Sequence, residues 1–165
     1  MLKKYSIVKY LEKLTPQILE VIFLSRDLAK REQMCVYLVG GFVRDLLLDV
    51  ENLDLDIVVE KEGINFANKL SALLDACLIK HRDFGTATVI KKDGFKIDVA
   101  TCRKEFYPKP AALPIVRPGT IEDDLFRRDF TINAIACNIN SERYGQLADL
   151  FEGIKDLRQG RIRFL

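Results

Sequence analysis

Two carboxylates separated by one residue have the clearest chemical meaning in this sequence. Asp54 and Asp56 lie in residues 53–59, LDLDIVV, which alternate polar and apolar side chains as a half-buried strand does. Both carboxylates therefore point to one side of the strand, with Cα atoms roughly 7 Å apart. Carboxylates so placed can bind one or two Mg²⁺ ions, as in two-metal phosphoryl-transfer sites. A solvated strand face is the alternative interpretation.

A third carboxylate, Asp98, lies on the polar face of another predicted strand, residues 95–101, FKIDVAT. If that strand neighbours the one carrying Asp56, three carboxylates converge. Asp98 could then share a metal ion or accept the proton of an attacking hydroxyl. Taken alone, it is an ordinary exposed strand residue.

Paired glycines form a second candidate site in residues 38–45, LVGGFVRD. Gly40 and Gly41 stand between a predicted strand and a predicted helix, where backbone amides can approach a phosphate closely. Arg44, in the first helical turn, could bind triphosphate oxygens. The segment is neither a GxGxxG fingerprint nor a Walker A loop. A plain tight turn is the alternative.

A third candidate site, residues 127–134 (RRDFTINA), concentrates charged and polar side chains. The guanidiniums of Arg127 and Arg128 suit triphosphate recognition, whereas Asp129 and Asn133 suit ribose hydroxyls. A helix end held by salt bridges is the alternative interpretation.

The elements that must position these side chains predict a mixed α/β domain. Helices are predicted over residues 16–31, 42–48, 63–74 and 121–126, and strands over residues 35–39, 53–60, 85–91 and 95–101, with a turn and a further strand in 131–140. The sequence Asp93-Gly94 predicts a tight hairpin between two of the strands. Residues 103–119 hold four prolines, which predict a long loop without regular structure. The pattern is not that of a doubly wound parallel sheet.

Composition limits the classes of protein that this chain can belong to. Its 165 residues, 48% of them apolar, suit one globular domain with a real core. No apolar run approaches the roughly 20 residues of a membrane helix, and the first residues lack a secretory signal, so we expect a cytosolic protein. The net charge of +2 does not by itself indicate nucleic-acid binding.

The cysteines and the single histidine give little support for a structural zinc site. Cys35, Cys77, Cys102 and Cys137 form no CxxC pair, and each lies among apolar or strand-like neighbours. We therefore expect four buried free thiols.

Taken together and in this order, LVGGFVRDLLL, DLD and RRDFTINA resemble the class II tRNA nucleotidyltransferase and bacterial poly(A) polymerase family. The match extends from about residue 36 to residue 140. The resemblance implies a polymerase-beta-like nucleotidyltransferase head, in which a mixed, mainly antiparallel sheet is flanked by helices. It also implies that residues 103–119 form the flexible loop that helps to position the primer end.

The resemblance assigns a role to each matching residue. Asp54 and Asp56 would bind magnesium, and Asp98 would be the third catalytic carboxylate. The nucleotide would be bound by a larger set: Gly40, Gly41, Arg44, Arg128, Asp129 and Asn133.

The implied activity is template-independent addition of CCA, CC or A from CTP or ATP to the 3′ end of tRNA, with two Mg²⁺ ions. The alternatives are poly(A) synthesis and, for this chain alone, nucleotide binding without catalysis. We expect residues 1–34 to be a helical segment packed on a head of residues 35–165. The base-selecting EDxxR motif of the family's neck does not follow, so we expect a truncated chain without neck, body and tail.

Overall fold

Helices and strands follow one another irregularly along the chain. The computed structural model describes residues 6–106 and 115–165. Within these ranges the α-helices are α1 (Val8–Leu11), α2 (Pro16–Glu32), α3 (Gly40–Leu47), α4 (Gly63–Leu73), α5 (Ile121–Phe126) and α6 (Gly153–Arg158). The strands are β1 (Val36–Val39), β2 (Leu55–Val59), β3 (Cys77–His81), β4 (Thr86–Ile90), β5 (Lys96–Thr101), β6 (Arg103–Phe106), β7 (Ile115–Pro118), β8 (Ile135–Asn138) and β9 (Leu147–Asp149).

One mixed sheet organises the part of the chain that the structure describes. Its seven strands have the order β3-β4-β5-β2-β1-β8-β9. Neighbouring strands are antiparallel except β2 and β5, which are parallel with Asp56 opposite Asp98. The predicted α/β fold with a mainly antiparallel sheet is confirmed.

The larger hydrophobic core covers one face of this sheet. Helices α2, α3 and α4 contribute Ile22, Phe42 and Phe66, all almost fully buried. Inward-facing strand residues such as Ile57 and Val99 meet them. Burying each such side chain contributes about 1.5–3 kcal/mol, so this core holds the strands in register.

The opposite face carries a smaller core at one end and is open at the other. Helix α5 places Ile121 and Leu125 over Tyr37 and Val58. Beyond α5, towards the β3 edge, the open end exposes polar side chains such as Asp98.

Local sequence signals explain where several elements begin and turn. The Thr15 hydroxyl accepts a hydrogen bond from the Ile18 amide, which caps α2 ahead of proline at its first position. Thr120 and Asp123 form a capping box on α5. The predicted hairpin between β4 and β5 is confirmed.

Residues 103–119 depart from the prediction of a loop without regular structure. Strands β6 and β7 pair antiparallel, from Arg103 opposite Pro118 to Phe106 opposite Ile115. A proline is tolerated here because a two-stranded sheet leaves one edge of each strand without a partner, where no N–H is required. Residues 107–114 of the predicted loop lie outside the described residues.

Two further predictions were wrong in part. Helix α3 begins at Gly40 and not at residue 42, because glycine accepts the backbone conformation required there. All four cysteines are free, but only Cys102 and Cys137 are buried. Cys35 precedes β1 and Cys77 begins the edge strand β3, so both are exposed.

No helix in the described ranges is long and apolar enough to cross a membrane.

Candidate active site

Three carboxylates mark the open face of the sheet. Asp54 immediately precedes β2, and Asp56 is half-buried within it. Asp98, on the parallel neighbour β5, lies directly opposite Asp56. Thr88, opposite Asp98 on β4, donates its hydroxyl to a carboxylate oxygen of Asp98 at 2.6 Å. Strands β2 and β5 are therefore neighbours, which is the condition under which the three carboxylates were expected to converge.

The environment of Asp56 opposes its negative charge. Burial raises the pKa of Asp56 to about 6, with further increases from Asp98 and Asp54, while Arg128 acts in the opposite direction. Burial and the two neighbouring carboxylates thus disfavour the charged form of Asp56 more than Arg128 stabilises it, and a bound cation would relieve this penalty.

Oxygen ligands of this kind suit Mg²⁺, which is commonly bound by one or two carboxylates, waters and substrate phosphates. Among residues 6–106 and 115–165, no three His, Cys, Asp or Glu side chains are grouped so as to hold a metal ion by themselves. Asp54 and Asp56 thus fit a site that is completed by phosphate and water oxygens.

Gly40 lies between an acidic and a basic member of the site. Its φ is +68°, and a Cβ at this position would lie 3.1 Å from Nη1 of Arg128 and 3.4 Å from a carboxylate oxygen of Asp56. Gly41 follows in the first turn of α3. The absence of a side chain at Gly40 lets the backbone at the start of α3 approach both groups.

Replacing Gly40 with Ala should lower the free energy of unfolding by more than the same change at Gly94. Gly94 has a φ of +86°, but a Cβ at this position would meet no atom within 4 Å. Gly94→Ala therefore measures the cost of the backbone conformation alone, about 1–2 kcal/mol. Gly40→Ala adds the contacts with Arg128 and Asp56. Urea denaturation of both variants compares the two costs, and equal costs would contradict the close approach.

Arg44 connects the glycine segment to the third motif. Its Nη1 donates to the side-chain oxygen of Asn133 at 2.9 Å, and its Nε donates to Asp45 at 2.7 Å. The Asn52 amide donates to the second oxygen of Asp45, also at 2.7 Å. Asp45 and Asn52, which sequence reasoning missed, therefore fix the orientation of Arg44.

A buried carboxylate, Asp124, holds both arginines of the third motif. Asp124 is 0% exposed and accepts hydrogen bonds at 2.6 Å from Arg127 and at 3.0 Å from Arg128. Arg128 also donates to the backbone oxygen of Asn133 at 3.4 Å. A helix end held by salt bridges, the alternative to a nucleotide-binding site, is thus present, and it directs Arg128 towards Gly40.

Asp124 was also missed, although its spacing was informative. Its distance of three and four residues from the two arginines places all three side chains on one face of a helical turn. Asp129, by contrast, is exposed, and its backbone oxygen accepts from the Leu165 amide at 3.1 Å.

The chain is similar in sequence to several known proteins. Residues 36–163 match the family described as the Poly A polymerase head domain. The A-adding tRNA nucleotidyltransferase of Geobacter sulfurreducens is 45% identical over 147 residues, covering 87% of this chain and 17% of that protein. Its counterpart in Halalkalibacterium halodurans is 41% identical over 152 residues, covering 92% of this chain and 36% of that protein.

Solved structures are similar over the whole chain. A CCA-adding enzyme in an apo form superposes with a TM-score of 0.93 and 44% identity, covering 100% of this chain and 39% of that one. The Thermotoga maritima CCA-adding enzyme complexed with tRNA gives a TM-score of 0.86 and 41% identity, covering 100% of this chain and 37% of that one. This chain therefore spans less than two fifths of the length of these relatives, between 17% and 39%.

Proposed function

This chain belongs to the Poly A polymerase head domain family, and we propose that it is the catalytic head of an enzyme that adds nucleotides from CTP or ATP to the 3′ end of tRNA without a template. The observation that carries the proposal is the register of β2 and β5, which sets Asp56 opposite Asp98. Gly40 and Arg128 meet Asp56 at the same place. A carboxylate cluster beside a phosphate-binding turn and an arginine suits triphosphate chemistry.

In the proposed reaction, the acidic and basic groups have separate tasks. Asp54 and Asp56 would hold Mg²⁺ through their carboxylate oxygens. With two ions bound, the site would lower the pKa of the RNA 3′-hydroxyl and stabilise departing pyrophosphate. Asp98, paired with the Thr88 hydroxyl, helps to orient or deprotonate the attacking 3′-hydroxyl.

The basic groups of the proposed site bind the triphosphate. The amides at Gly40 and Gly41 and the guanidiniums of Arg44 and Arg128 offset its negative charge. Arg44 is held by Asp45, and Arg128 by Asp124, so both arginines are oriented before the substrate arrives. Preorganised charge of this kind requires little rearrangement during the reaction.

Asn133 and Asp129 are proposed to contact the ribose. The side-chain oxygen of Asn133 already accepts from Arg44, which leaves its amide group to donate to a sugar hydroxyl. Asp129 is exposed and can accept hydrogen bonds from the same sugar. A role in tRNA processing is consistent with the cytoplasmic location that we propose.

The decisive experiment measures nucleotide transfer to three tRNA transcripts, which end directly before the CCA sequence, after its first C, and after its second C. Each triphosphate is supplied in turn with Mg²⁺, and EDTA provides the metal-free control. The assay uses this chain and any longer natural protein that contains it. We expect metal-dependent transfer of C or A to tRNA by the protein that contains this head together with its base-selecting region.

Three outcomes would change this conclusion. Extension of other RNAs but no tRNA would indicate poly(A) synthesis. Nucleotide binding without transfer by any form of the protein would indicate a non-catalytic domain. Correct discrimination between CTP and ATP by these 165 residues alone would contradict the proposal that base selection lies outside them.

A further inference from the structure

The segment that joins α3 to β2, residues 48–54, is held in place largely by polar contacts. It has no regular secondary structure from residue 50 to residue 54. Its large apolar side chains are between 49% and 55% exposed: Leu48, Val50 and Leu53. A cleft of about 220 Å³ is lined by residues 49–52 together with side chains of α1, α2 and α3. Apolar packing therefore fixes the position of this segment less firmly than that of a buried strand.

Asn52 supplies two of the polar contacts, one through each end of its side-chain amide. Its carbonyl oxygen accepts a hydrogen bond from the Asp54 backbone N–H at 2.8 Å. Its amide nitrogen donates to a carboxylate oxygen of Asp45 at 2.7 Å. The other oxygen of Asp45 accepts from Nε of Arg44, also at 2.7 Å. One amide thus joins the backbone of a proposed metal ligand to the carboxylate that orients an arginine of the proposed triphosphate site.

The direction of these hydrogen bonds restricts the side chain that can stand at position 52. A carboxylate oxygen of Asp45 only accepts, so the group that faces it has to donate. The Asp54 N–H requires an acceptor on the same side chain, and an amide supplies both. Asp in place of Asn52 would set two carboxylates against each other, whereas Leu would provide neither contact.

The contacts of Asn52 belong to a longer series. The backbone oxygen of Asp45 accepts from the Val50 N–H at 2.9 Å, which ties the joining segment to α3 a second time. At its far end, Arg44 donates from Nη1 to the side-chain oxygen of Asn133 at 2.9 Å. An unbroken series of hydrogen bonds therefore runs from the Asp54 backbone to the third motif.

We propose that Asn52 is a positioning residue that couples the two halves of the candidate site, so that Asp54 and Arg44 take their working positions together. That these two residues bind Mg²⁺ and triphosphate rests on the proposed function. Asn52 acts through these neighbours. A shift of the joining segment moves both groups at once, and displacements on the order of 1 Å are costly in active sites.

The test separates the two contacts of Asn52. Asn52→Asp keeps an oxygen for the Asp54 N–H but removes the donor to Asp45, and Asn52→Leu removes both contacts. Asn52→Asp combined with Asp45→Asn exchanges donor and acceptor, which restores the hydrogen bond in the reverse direction. Asp45→Asn alone completes the cycle. The matched control is Asn65→Asp, at an exposed position of α4.

Two kinds of measurement are made on the natural protein that contains this chain. The first needs no ligand: NMR of protein with isotope-labelled arginine follows the Nε–H signal of Arg44, which reports its hydrogen bond to Asp45. The second is Mg²⁺–ATP affinity by calorimetry, together with KM, kcat and the Mg²⁺ requirement for transfer to tRNA. Thermal melts verify that each variant is folded.

We expect Asn52→Asp to shift the Arg44 signal and to weaken Mg²⁺–ATP binding roughly tenfold, as the loss of a hydrogen bond to a charged group does, with a smaller effect on kcat. Asn52→Leu should also lower kcat and raise the Mg²⁺ requirement, because the Asp54 backbone is released as well. The exchange variant should recover most of the lost affinity, as expected for two residues in direct contact. Asn65→Asp should match the wild type.

Several results would overturn the proposal. They are an exchange variant as weak as the two single substitutions added together, an Asn52→Leu variant that behaves like Asn65→Asp, or an Arg44 signal that is the same in every variant. Absence of Mg²⁺–ATP binding by the wild type, together with the expected changes in the Arg44 signal, would contradict the proposed function and leave the positioning of Arg44 by Asn52 in place.

Discussion

Replacing Asp56 with Asn should lower the rate of nucleotide transfer by at least about a hundredfold, the scale on which loss of one electrostatic group slows an active site. The substitution removes a proposed metal ligand that lies opposite Asp98 and beside Arg128. Asn keeps the shape of the side chain, so the fold is retained. Single-turnover transfer to tRNA measures the effect. Glu51→Gln, which removes an exposed charge nearby, should leave the rate almost unchanged.

The same substitution should make the protein more stable above pH 6. The folded-state pKa of Asp56 is about 6, above the ordinary value of 3.8, so the folded state binds the proton more tightly than the unfolded state. The stability of the wild type therefore falls as pH rises through this window, and Asp56→Asn lacks that fall. Melting curves without metal should show a gain at about pH 8 that shrinks as the pH falls below 6 and is mostly lost near pH 4, close to the unfolded-state value of 3.8. Near-normal transfer, or a pH-independent difference in Tm, would contradict the assignment.

Replacing Asp124 with Asn should lower the free energy of unfolding by about 3–5 kcal/mol, as expected when one partner of a buried ion pair is removed. Asp124 is fully buried and binds Arg127 and Arg128 at once. Without the carboxylate, two guanidiniums lose the charge that compensates them. Arg128 is also released from its orientation towards Gly40, so Mg²⁺–ATP affinity should fall as well. Urea denaturation and calorimetric titration measure the two effects.

Glu122→Gln is the matched control for Asp124, because it removes the same charge from an exposed position on α5. Its cost should stay within about 0.5 kcal/mol, as for most surface substitutions. If Asp124→Asn were as stable as this control, the buried carboxylate would not be the group that holds the two arginines.

Periodicity and capping signals predicted most helices and strands, since those signals act within a few residues. Strand β3 escaped prediction because it is an edge strand whose side chains are mostly exposed, so Cys77–His81 lacks an apolar alternation. The prolines of residues 103–119 suggested a loop, yet β6 and β7 tolerate one at their open edge. Whether a proline disrupts a strand depends on the neighbouring chain, which local sequence does not reveal.

In the candidate site, too, some positions follow from local sequence and others depend on how the whole chain packs. The shared face of Asp54 and Asp56 followed from strand geometry alone. The position of Asp98 depended on which strands are neighbours, and that depends on the packing of the whole sheet. Asp45 and Asn52 were overlooked because they act through Arg44, and their contacts join different turns of the chain. Residues that orient another side chain leave a weaker signal than those that would contact the substrate.

The alternation along β5 ties the position of Asp98 to the burial of its two apolar neighbours. Ile97 and Val99 are 0% exposed, whereas Asp98 between them faces the open side. Slippage of β5 by one residue would bury the carboxylate and expose both apolar side chains. Strand β5 therefore has no stable register between these two. Weakening the core should not shift Asp98 by small steps. Destabilising core variants should contain a smaller population of fully competent molecules, each with an unaltered turnover rate.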